Sequence, residues 1–125
     1  MTDPLALIVE DDYDLSIIFA EALQAAGFET QIVRAGDTAL MWLSSTTPEV
    51  VVLDLHLPRV AGTSILQQIR SDPHLAETRV IIATADARLA ETLREDADLV
   101  LLKPISFSQL RDLAARLSPV TSLDT

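Results

Sequence analysis

The chain has 125 residues, 49% of them hydrophobic, and its 19 acidic and 9 basic residues give a formal net charge of −10. This length fits one domain with its own core. The absence of cysteine excludes disulfides and thiolate metal sites, and the negative charge disfavours direct nucleic-acid binding. The N-terminus lacks a basic segment, and its first apolar run is too short for a signal peptide or a membrane span. We therefore expect a cytoplasmic, soluble protein.

Five short runs of Val, Ile and Leu predict strands, and most of them lack the alternation of a half-exposed strand. They are Leu5–Val9, Thr30–Val33, Val50–Leu53, Val80–Ala83 and Leu99–Leu102. Such runs suit strands that are buried on both faces of a sheet. Between and after them, apolar residues recur at three- and four-residue steps, which is typical of helices. These segments are Leu15–Leu23, Ala39–Leu43, Ile65–Ile69, Leu89–Leu93 and Leu110–Leu117.

Cap and stop residues mark the predicted helix ends. Gly27 can stop the first helix, Asp37 can cap the second, and Ser106 with Gln109 forms a capping box for the last helix, which Pro119 ends. The strict alternation of strands and helices predicts parallel strands with right-handed crossovers. We predict an α/β fold, a doubly wound five-stranded parallel sheet with helices on both faces, over residues 1–118. Residues 119–125 are predicted to be a tail or the start of a linker.

Polar side chains stand at the ends of four predicted strands: Glu10, Asp11 and Asp12, then Asp54, Thr84 and Lys103. The second strand ends in Arg34-Ala35, without a carboxylate or hydroxyl. Ligands of open parallel sheets bind outside the carboxyl ends of the strands. If the second strand lies at an edge, the other four line one crevice, as in the flavodoxin-like order 2-1-3-4-5.

Each of these residues also has an ordinary structural explanation. The acids could be a first-turn charge cluster, Asp54 a turn residue, Thr84 a strand threonine and Lys103 a surface lysine. If they converge, the carboxylates need a compensating cation or lysine. Asp11, Asp54 and water, with Glu10 acting through water, would suit Mg²⁺. Asp54 could then act as a nucleophile and form an acyl phosphate, with Lys103 and Thr84 meeting the charge on the transferred group.

The order and spacing of several motifs carry a family resemblance. They are Leu5–Asp12, Val51–Pro58 with Gly62, Ile82–Ala85, and Lys103-Pro104. With them the sequence resembles the receiver domain of two-component response regulators. The resemblance implies that Glu10 and Asp11 are the acidic pair, Asp54 the phosphoacceptor, Thr84 the phosphoryl-binding hydroxyl and Lys103 the family's lysine. It also implies a metal contact from the His56 backbone carbonyl and a cis Lys103-Pro104 bond.

The function implied by the resemblance is a phosphoaspartate switch in a two-component system or phosphorelay. Phosphate would come from a sensor histidine kinase or histidine phosphotransfer protein and require Mg²⁺, and output would go to a downstream protein or output domain that the sequence does not name. No enzymatic turnover is expected beyond self-catalysed phosphorylation and dephosphorylation. A degenerate docking receiver, an aspartyl-phosphate hydrolase and a flavodoxin-like flavin binder are the alternatives. The set of site residues disfavours the docking receiver. The Asp54-Leu55-His56 sequence disfavours the hydrolase, and the lack of a phosphate loop after Val9 disfavours the flavin binder.

Departures from the family pattern concern the output face. Val100 occupies the position where the family usually has an aromatic, and the stretch from Thr84 to Lys103 is shorter by roughly one helical turn. Asp96 stands where a glycine is usual, and Leu99 replaces an acid found in members that dimerise through this face. We therefore predict an atypical fourth-helix and fifth-strand face.

Four side chains allow two interpretations each. Asp12 could assist the site or cap the first helix. His56 could modulate the lifetime of the acyl phosphate or face solvent, with its backbone alone mattering. Asp86 could orient water or cap the following helix. Trp42 is more simply explained by packing on the second helix than as a ligand platform.

Overall fold

The computed structural model describes residues 3–119 and contains one parallel sheet with strand order β2-β1-β3-β4-β5. The strands are β1 (Leu5–Val9), β2 (Glu29–Val33), β3 (Val50–Leu53), β4 (Arg79–Thr84) and β5 (Leu99–Leu102). The predicted fold class and strand order are confirmed. Strands β2 and β4 begin one residue earlier than predicted, because Glu29 N–H donates to Pro4 O and Arg79 N–H to Glu49 O, each at 2.9 Å. Strand β4 also continues through Thr84, which lies opposite Leu102.

Within residues 3–119, four α-helices and one 3₁₀ turn connect the strands, and a fifth α-helix follows the last strand. They are α1 (Tyr13–Ala25), α2 (Gly36–Ser45), α3 (Gly62–Ser71), the 3₁₀ turn Pro73–Leu75, α4 (Ala87–Thr92) and α5 (Phe107–Ala115). In the part of the chain described, none of these helices has both the length and the apolarity to span a membrane. Helix α5 ends two residues before Leu117, where the apolar spacing had placed its last turn. Of the predicted tail, only Pro119 lies within the described residues.

The core has two halves because successive side chains of a strand point to opposite faces of the sheet. On one face, Ala6 and Ile8 of β1 pack with residues of α1 and α5, including Phe19 and Leu110. On the other face, Leu7 and Val9 pack with residues of α2 and α3, including Leu43, Ile65 and Ile69. Each fully buried large side chain contributes about 1.5–3 kcal/mol. Helices are therefore held on both faces, and the strand ends are left for the site.

Helix ends show which cap predictions hold. After α1, Gly27 has φ +102°, and Phe28 N–H donates to Leu23 O at 3.0 Å, a Schellman ending that needs the left-handed conformation. The Ser106 hydroxyl accepts from Gln109 N–H at 3.0 Å, which confirms Ser106 as the N-cap of α5, while the return bond of the predicted capping box stays a prediction. The Asp37 cap is wrong, because α2 starts two residues earlier than a cap at Asp37 requires: Ala35 is the N-cap, and Asp37 lies in the first turn.

Helix α4 has only six residues, and the turn that follows it is tied to the end of α3. Arg70 Nε donates to Asp96 O at 2.6 Å and Nη1 to Thr78 O at 3.1 Å. Nη2 of the same guanidinium donates to Asp98 Oδ2 at 3.0 Å, which also accepts from Val80 N–H at 2.7 Å. One arginine thus joins α3, the start of β4 and the turn before β5 at the amino end of the sheet.

Candidate functional site at the carboxyl edge of the sheet

The polar residues predicted at the strand ends lie at one edge because the backbone ladder places them there. Glu10 N–H donates to Val33 O at 3.1 Å, and Asp54 N–H donates to Val9 O at 2.9 Å. On the other side of the sheet, Lys103 N–H donates to Thr84 O at 2.8 Å. Each residue is therefore fixed by the strand beside it, and the convergence expected from parallel strands is present.

Three carboxylates form a compact cluster at this edge. One oxygen each of Glu10, Asp11 and Asp54 lies within 4.8 Å of the other two. Glu10 is 1% and Asp54 5% exposed, while Asp11 faces solvent. Anionic oxygen ligands, part of them open to water, fit Mg²⁺. The residues present could therefore hold the divalent cation that the sequence predicts.

Lys103 provides the cluster with one positive charge. Its Nζ lies 2.6 Å from Glu10 Oε1 and 3.7 Å from Asp54 Oδ1, so its close partner is Glu10. Burial raises the pKa of Glu10 to about 7 against the hydrogen bond from Lys103. Burial likewise raises the pKa of Asp54, and the charge of Lys103 opposes this shift. One ammonium does not fully offset the buried carboxylates, and a bound cation would relieve the remaining cost.

Lys103 is also the chain's single lysine, beside eight arginines, a signal that the residue-by-residue analysis missed. A lysine carries a compact charge on a flexible stem and can change partners, whereas an arginine favours fixed, planar contacts. The Lys103-Pro104 peptide bond is cis, as the resemblance implied.

Asp12 and Glu10 share the start of α1. The Asp12 side chain accepts from Leu15 N–H at 3.0 Å, so the structure assigns it the capping role. Its own N–H donates to Glu10 Oε2 at 3.2 Å. The backbone of the cap residue thus orients the Glu10 carboxylate. Of the three consecutive acids, Asp12 caps the helix, whereas Glu10 and Asp11 belong to the carboxylate cluster.

Thr84, Asp86 and His56 lie on the two loops that flank Asp54. The Thr84 side chain is fully buried, and its hydroxyl accepts from Asp86 N–H at 3.1 Å. Asp86 caps α4 by accepting from Leu89 N–H at 3.0 Å, and its other oxygen lies 3.5 Å from Nε2 of His56. The capping reading of Asp86 therefore holds, and the exposed His56 imidazole is its neighbour across the loops.

The backbone of the loop after Asp54 is tightly placed. His56 N–H lies 3.4 Å from Asp54 Oδ1, and Gly62 N–H donates to Leu55 O at 3.0 Å. A Cβ at Gly62 would come closer than 3.0 Å to Asp54 O and Leu55 Cα, so a side chain there would displace the residue predicted as phosphoacceptor. That the His56 backbone carbonyl is a metal ligand stays a prediction.

A second glycine contact had no clear signal in the sequence. Gly36 N–H donates to Pro58 O at 3.2 Å, and a Cβ at Gly36 would clash with Val60. Arg59, between them, has φ +72° and pairs with Asp37 at 3.0 Å. Sequence reasoning assigned Asp37 to a local cap, and the tertiary structure uses it to hold this loop.

Val100 and Trp42 are packing residues. Both are half-buried and pack against the core half that contains Leu43 and Ile65. The packing interpretation of Trp42 is confirmed. At Val100 a small side chain stands where the resemblance implies an aromatic, beside the short α4.

Comparison with known proteins identifies the family. The family model described as response regulator receiver domain matches residues 6–115. The phosphate regulon transcriptional regulatory protein PhoB of Rhizobium meliloti is 32% identical over 110 residues, which cover 86% of this chain and 48% of PhoB. The Regulator of RpoS of Escherichia coli is 33% identical over 119 residues, which cover 90% of this chain and 35% of that protein. The chain thus spans about half or less of these curated relatives.

Solved structures agree with this fold. A CheY-like response regulator receiver domain from Methylobacillus flagellatus has a TM-score of 0.81 and 28% identity, covering 92% of this chain and 98% of its own. The BeF3-activated DrrB receiver domain has a TM-score of 0.80 and 28% identity, covering 94% and 97%. With the family match over most of its length and the carboxylate and lysine cluster in place, the chain belongs to the response regulator receiver domain family.

Proposed function

We propose that this domain is a phosphoaspartate switch of a two-component system or phosphorelay, with Asp54 as the phosphoacceptor. The observation that carries the proposal is the environment of Asp54: its buried carboxylate clusters with Glu10 and Asp11 and lies 3.7 Å from Lys103. A nucleophile, anionic ligands for a cation and a movable ammonium are the groups that phosphoryl transfer to a carboxylate needs.

The proposed metal ligands are Glu10, Asp11, Asp54 and the His56 backbone carbonyl. When bound there, Mg²⁺ would neutralise charge on the phosphoryl oxygens. The protein's own part is to hold the carboxylates in place. Glu10 is held by its contacts with Asp12 and Lys103, and Asp54 is held by its backbone hydrogen bond to β1.

In the proposed transfer, an Asp54 carboxylate oxygen attacks the phosphorus of a phosphohistidine. The oxygen–phosphorus bond forms as the phosphorus–nitrogen bond breaks, and the imidazole nitrogen keeps that electron pair and takes a proton from solvent. Lys103 shifts from Glu10 to a phosphoryl oxygen, and the Thr84 hydroxyl donates to another instead of only accepting from Asp86. The acyl phosphate then hydrolyses without turnover of a further substrate, so the domain is not an enzyme in the usual sense.

The proposed phosphodonor is a sensor histidine kinase or a histidine phosphotransfer protein in the cytoplasm. The regulatory relatives PhoB and the Regulator of RpoS are longer than this chain, and the proposed output goes to a downstream protein or an output domain. A net charge of −10 supports output by protein–protein contact over direct contact with nucleic acid.

We further propose that the output face is atypical. Val100 offers less area to bury than an aromatic, and Arg70 ties down the turn after the six-residue α4. A switch needs about 5 kcal/mol of differential stabilisation to go from nearly all-off to nearly all-on, so losing the aromatic should weaken motion on this face. The expected route runs through the loops after Asp54 and Thr84, joined by the His56 and Asp86 contact, or through α1.

The primary test is intact-mass analysis after treatment with a small phosphodonor, with and without Mg²⁺. One acid-labile phosphoryl group that requires Mg²⁺ is expected. No adduct under either condition would favour a degenerate docking receiver. Rapid, sustained consumption of the donor with no accumulated acyl phosphate would favour a hydrolase.

The output proposal is tested by backbone amide shifts measured with Mg²⁺ and beryllofluoride. Residues 56–62 and 85–87 should shift more strongly than residues 89–100. Equal shifts in the two groups would show that the usual output face is in use despite Val100.

A further inference from the structure

His74 lies in the 3₁₀ turn after α3, and each of its two ring nitrogens faces an acceptor. Nδ1 is 2.7 Å from Asp72 Oδ1, and Nε2 is 2.9 Å from the backbone carbonyl of Leu43 in α2. The residues are 2 and 31 positions away in the chain. The ring therefore bridges its own turn and the C-terminal end of another helix.

This geometry selects one protonation state. A neutral imidazole has one N–H and one lone pair, so it can donate at only one nitrogen, and the imidazolium donates at both. With a neutral ring, a lone pair would face either the carboxylate or the carbonyl. The last carbonyls of a helix carry partial negative charge, and α2 has no basic residue of its own in its last turn. A cation from outside the helix complements that end.

We infer that His74 is a pH-sensitive clamp that, when protonated, fastens the turn after α3 to the C-terminal end of α2 and, when neutral, releases it. The groups that face it are the Asp72 carboxylate from the turn, the backbone carbonyl of Leu43 from α2 and the backbone of Thr46, the C-cap residue that follows α2. From α3, the Gln68 side chain interacts with Asp72. None of these residues belongs to the carboxylate cluster, so the inference stands independently of phosphorylation.

The pKa shifts agree with the geometry and set the working range. The hydrogen bond that the His74 ring donates to the Asp72 carboxylate raises the pKa of His74 above its ordinary value, and the same bond lowers the pKa of Asp72. A raised histidine pKa means that its stabilising effect is complete below the unfolded-state pKa and is lost as pH rises through the folded-state value. The lowered Asp72 pKa means that its effect is lost only as pH falls through a strongly acidic range. The clamp is closed between these limits.

Release should loosen one end of α2 without unfolding the turn. Leu75, the next residue, is fully buried in the core half beneath α2 and α3, so the turn stays anchored. The His74 side chain is 40% exposed, which gives the proton a direct path to solvent. An ordinary histidine titrates near pH 6.5 and the pKa of His74 is raised above that, so the clamp opens only above the range in which a free histidine loses its proton.

The test is an NMR titration of the two histidine side chains from about pH 5 to about pH 9, together with amide hydrogen exchange in the last turn of α2. The chain has two histidines, so His74→Gln assigns both signals and leaves His56 as an internal reference. We expect the His74 midpoint above its ordinary value, a lower midpoint in Asp72→Asn, and a several-fold loss of protection at Ser45 and Thr46 as pH rises through that midpoint.

His74→Gln is the control for exchange, because its neutral amide does not titrate. Protection factors in this variant should not change at the midpoint that the parent shows. A His74 midpoint at or below its ordinary value would overturn the clamp, and so would a protection profile that is the same in the parent and in His74→Gln.

Discussion

The two ends of the sheet hold charges in opposite ways. At the carboxyl end, Glu10 and Asp54 are almost completely buried, and the raised pKa of each shows that Lys103 does not fully offset burial. At the amino end, Asp72 and Asp98 are partly open to solvent, and each has a basic side chain within 3.0 Å, His74 and Arg70 respectively. Buried charges that lack full compensation are costly, whereas each partly exposed carboxylate at the amino end already has a hydrogen-bonded partner.

This contrast indicates that the carboxyl end suits the binding of a cation and that the amino end stabilises the fold. A cluster that would be relieved by an added cation is suited to take one, and charged groups with perturbed pKa values in one place mark functional candidates. The amino end has its hydrogen bonds already made: Arg70 uses three nitrogens on three acceptors. Substitutions should therefore change chemistry at one end and stability at the other.

The largest expected effect is on phosphorylation by a small phosphodonor. Asp54→Asn should abolish the Mg²⁺-dependent, acid-labile mass increase, because the amide is not a nucleophile of this kind. Asp72→Asn removes a carboxylate from the opposite end of the sheet and should keep the full increase. Persistence of the adduct in Asp54→Asn would show that another residue is the phosphoacceptor.

The next effect is on stability at the amino end. Arg70→Met should lower the free energy of unfolding by about 1–3 kcal/mol, because the carbonyls of Thr78 and Asp96 and the carboxylate of Asp98 lose a donor. Arg94→Met removes only an exposed pair with Glu91 and should change it by less than about 0.5 kcal/mol. Urea unfolding measures both. Equal losses in the two variants would contradict a structural role specific to Arg70.

A smaller effect is expected for metal affinity when Lys103 is changed. Lys103→Ala should leave Mg²⁺ binding intact or tighten it, because a competing positive charge beside the carboxylates is gone. Lys103→Arg keeps the charge and serves as the matched control, with affinity near that of the parent. Calorimetric or fluorescence titration gives both values. A steep fall in affinity in Lys103→Ala alone would mean that the lysine positions the ligands.

The smallest effect concerns an exposed pair at the carboxyl end, outside the buried cluster. The hydrogen bond from Arg59 lowers the pKa of Asp37, so its stabilising effect is present above the unfolded-state pKa and is lost as pH falls through the folded-state value. Asp37→Asn should therefore slightly lower the urea midpoint at about pH 7 and have no effect at about pH 2. An equal change at both pH values would assign the effect to packing instead of charge.

The fold class, the strand order and the edge where the polar residues meet could all be predicted from the amino-acid sequence. Runs of Val, Ile and Leu define strands buried on both faces, and parallel strands leave their last residues at one edge, so Glu10, Asp54, Thr84 and Lys103 could be placed there from their positions after these runs. The caps at Gly27 and Ser106 were also predictable, because each depends on bonds between residues a few positions apart.

The partners that these groups take depend on the packing of the folded chain. Lys103 pairs most closely with Glu10, 93 residues away, and Asp37 holds the loop at Arg59 instead of capping its own helix. His74 reaches Leu43 across 31 residues. Local patterns reflect backbone preferences over a few residues, whereas these contacts depend on how two packed elements are spaced and oriented, which no short stretch of sequence encodes. A charged side chain takes the partner that packing brings within hydrogen-bond distance.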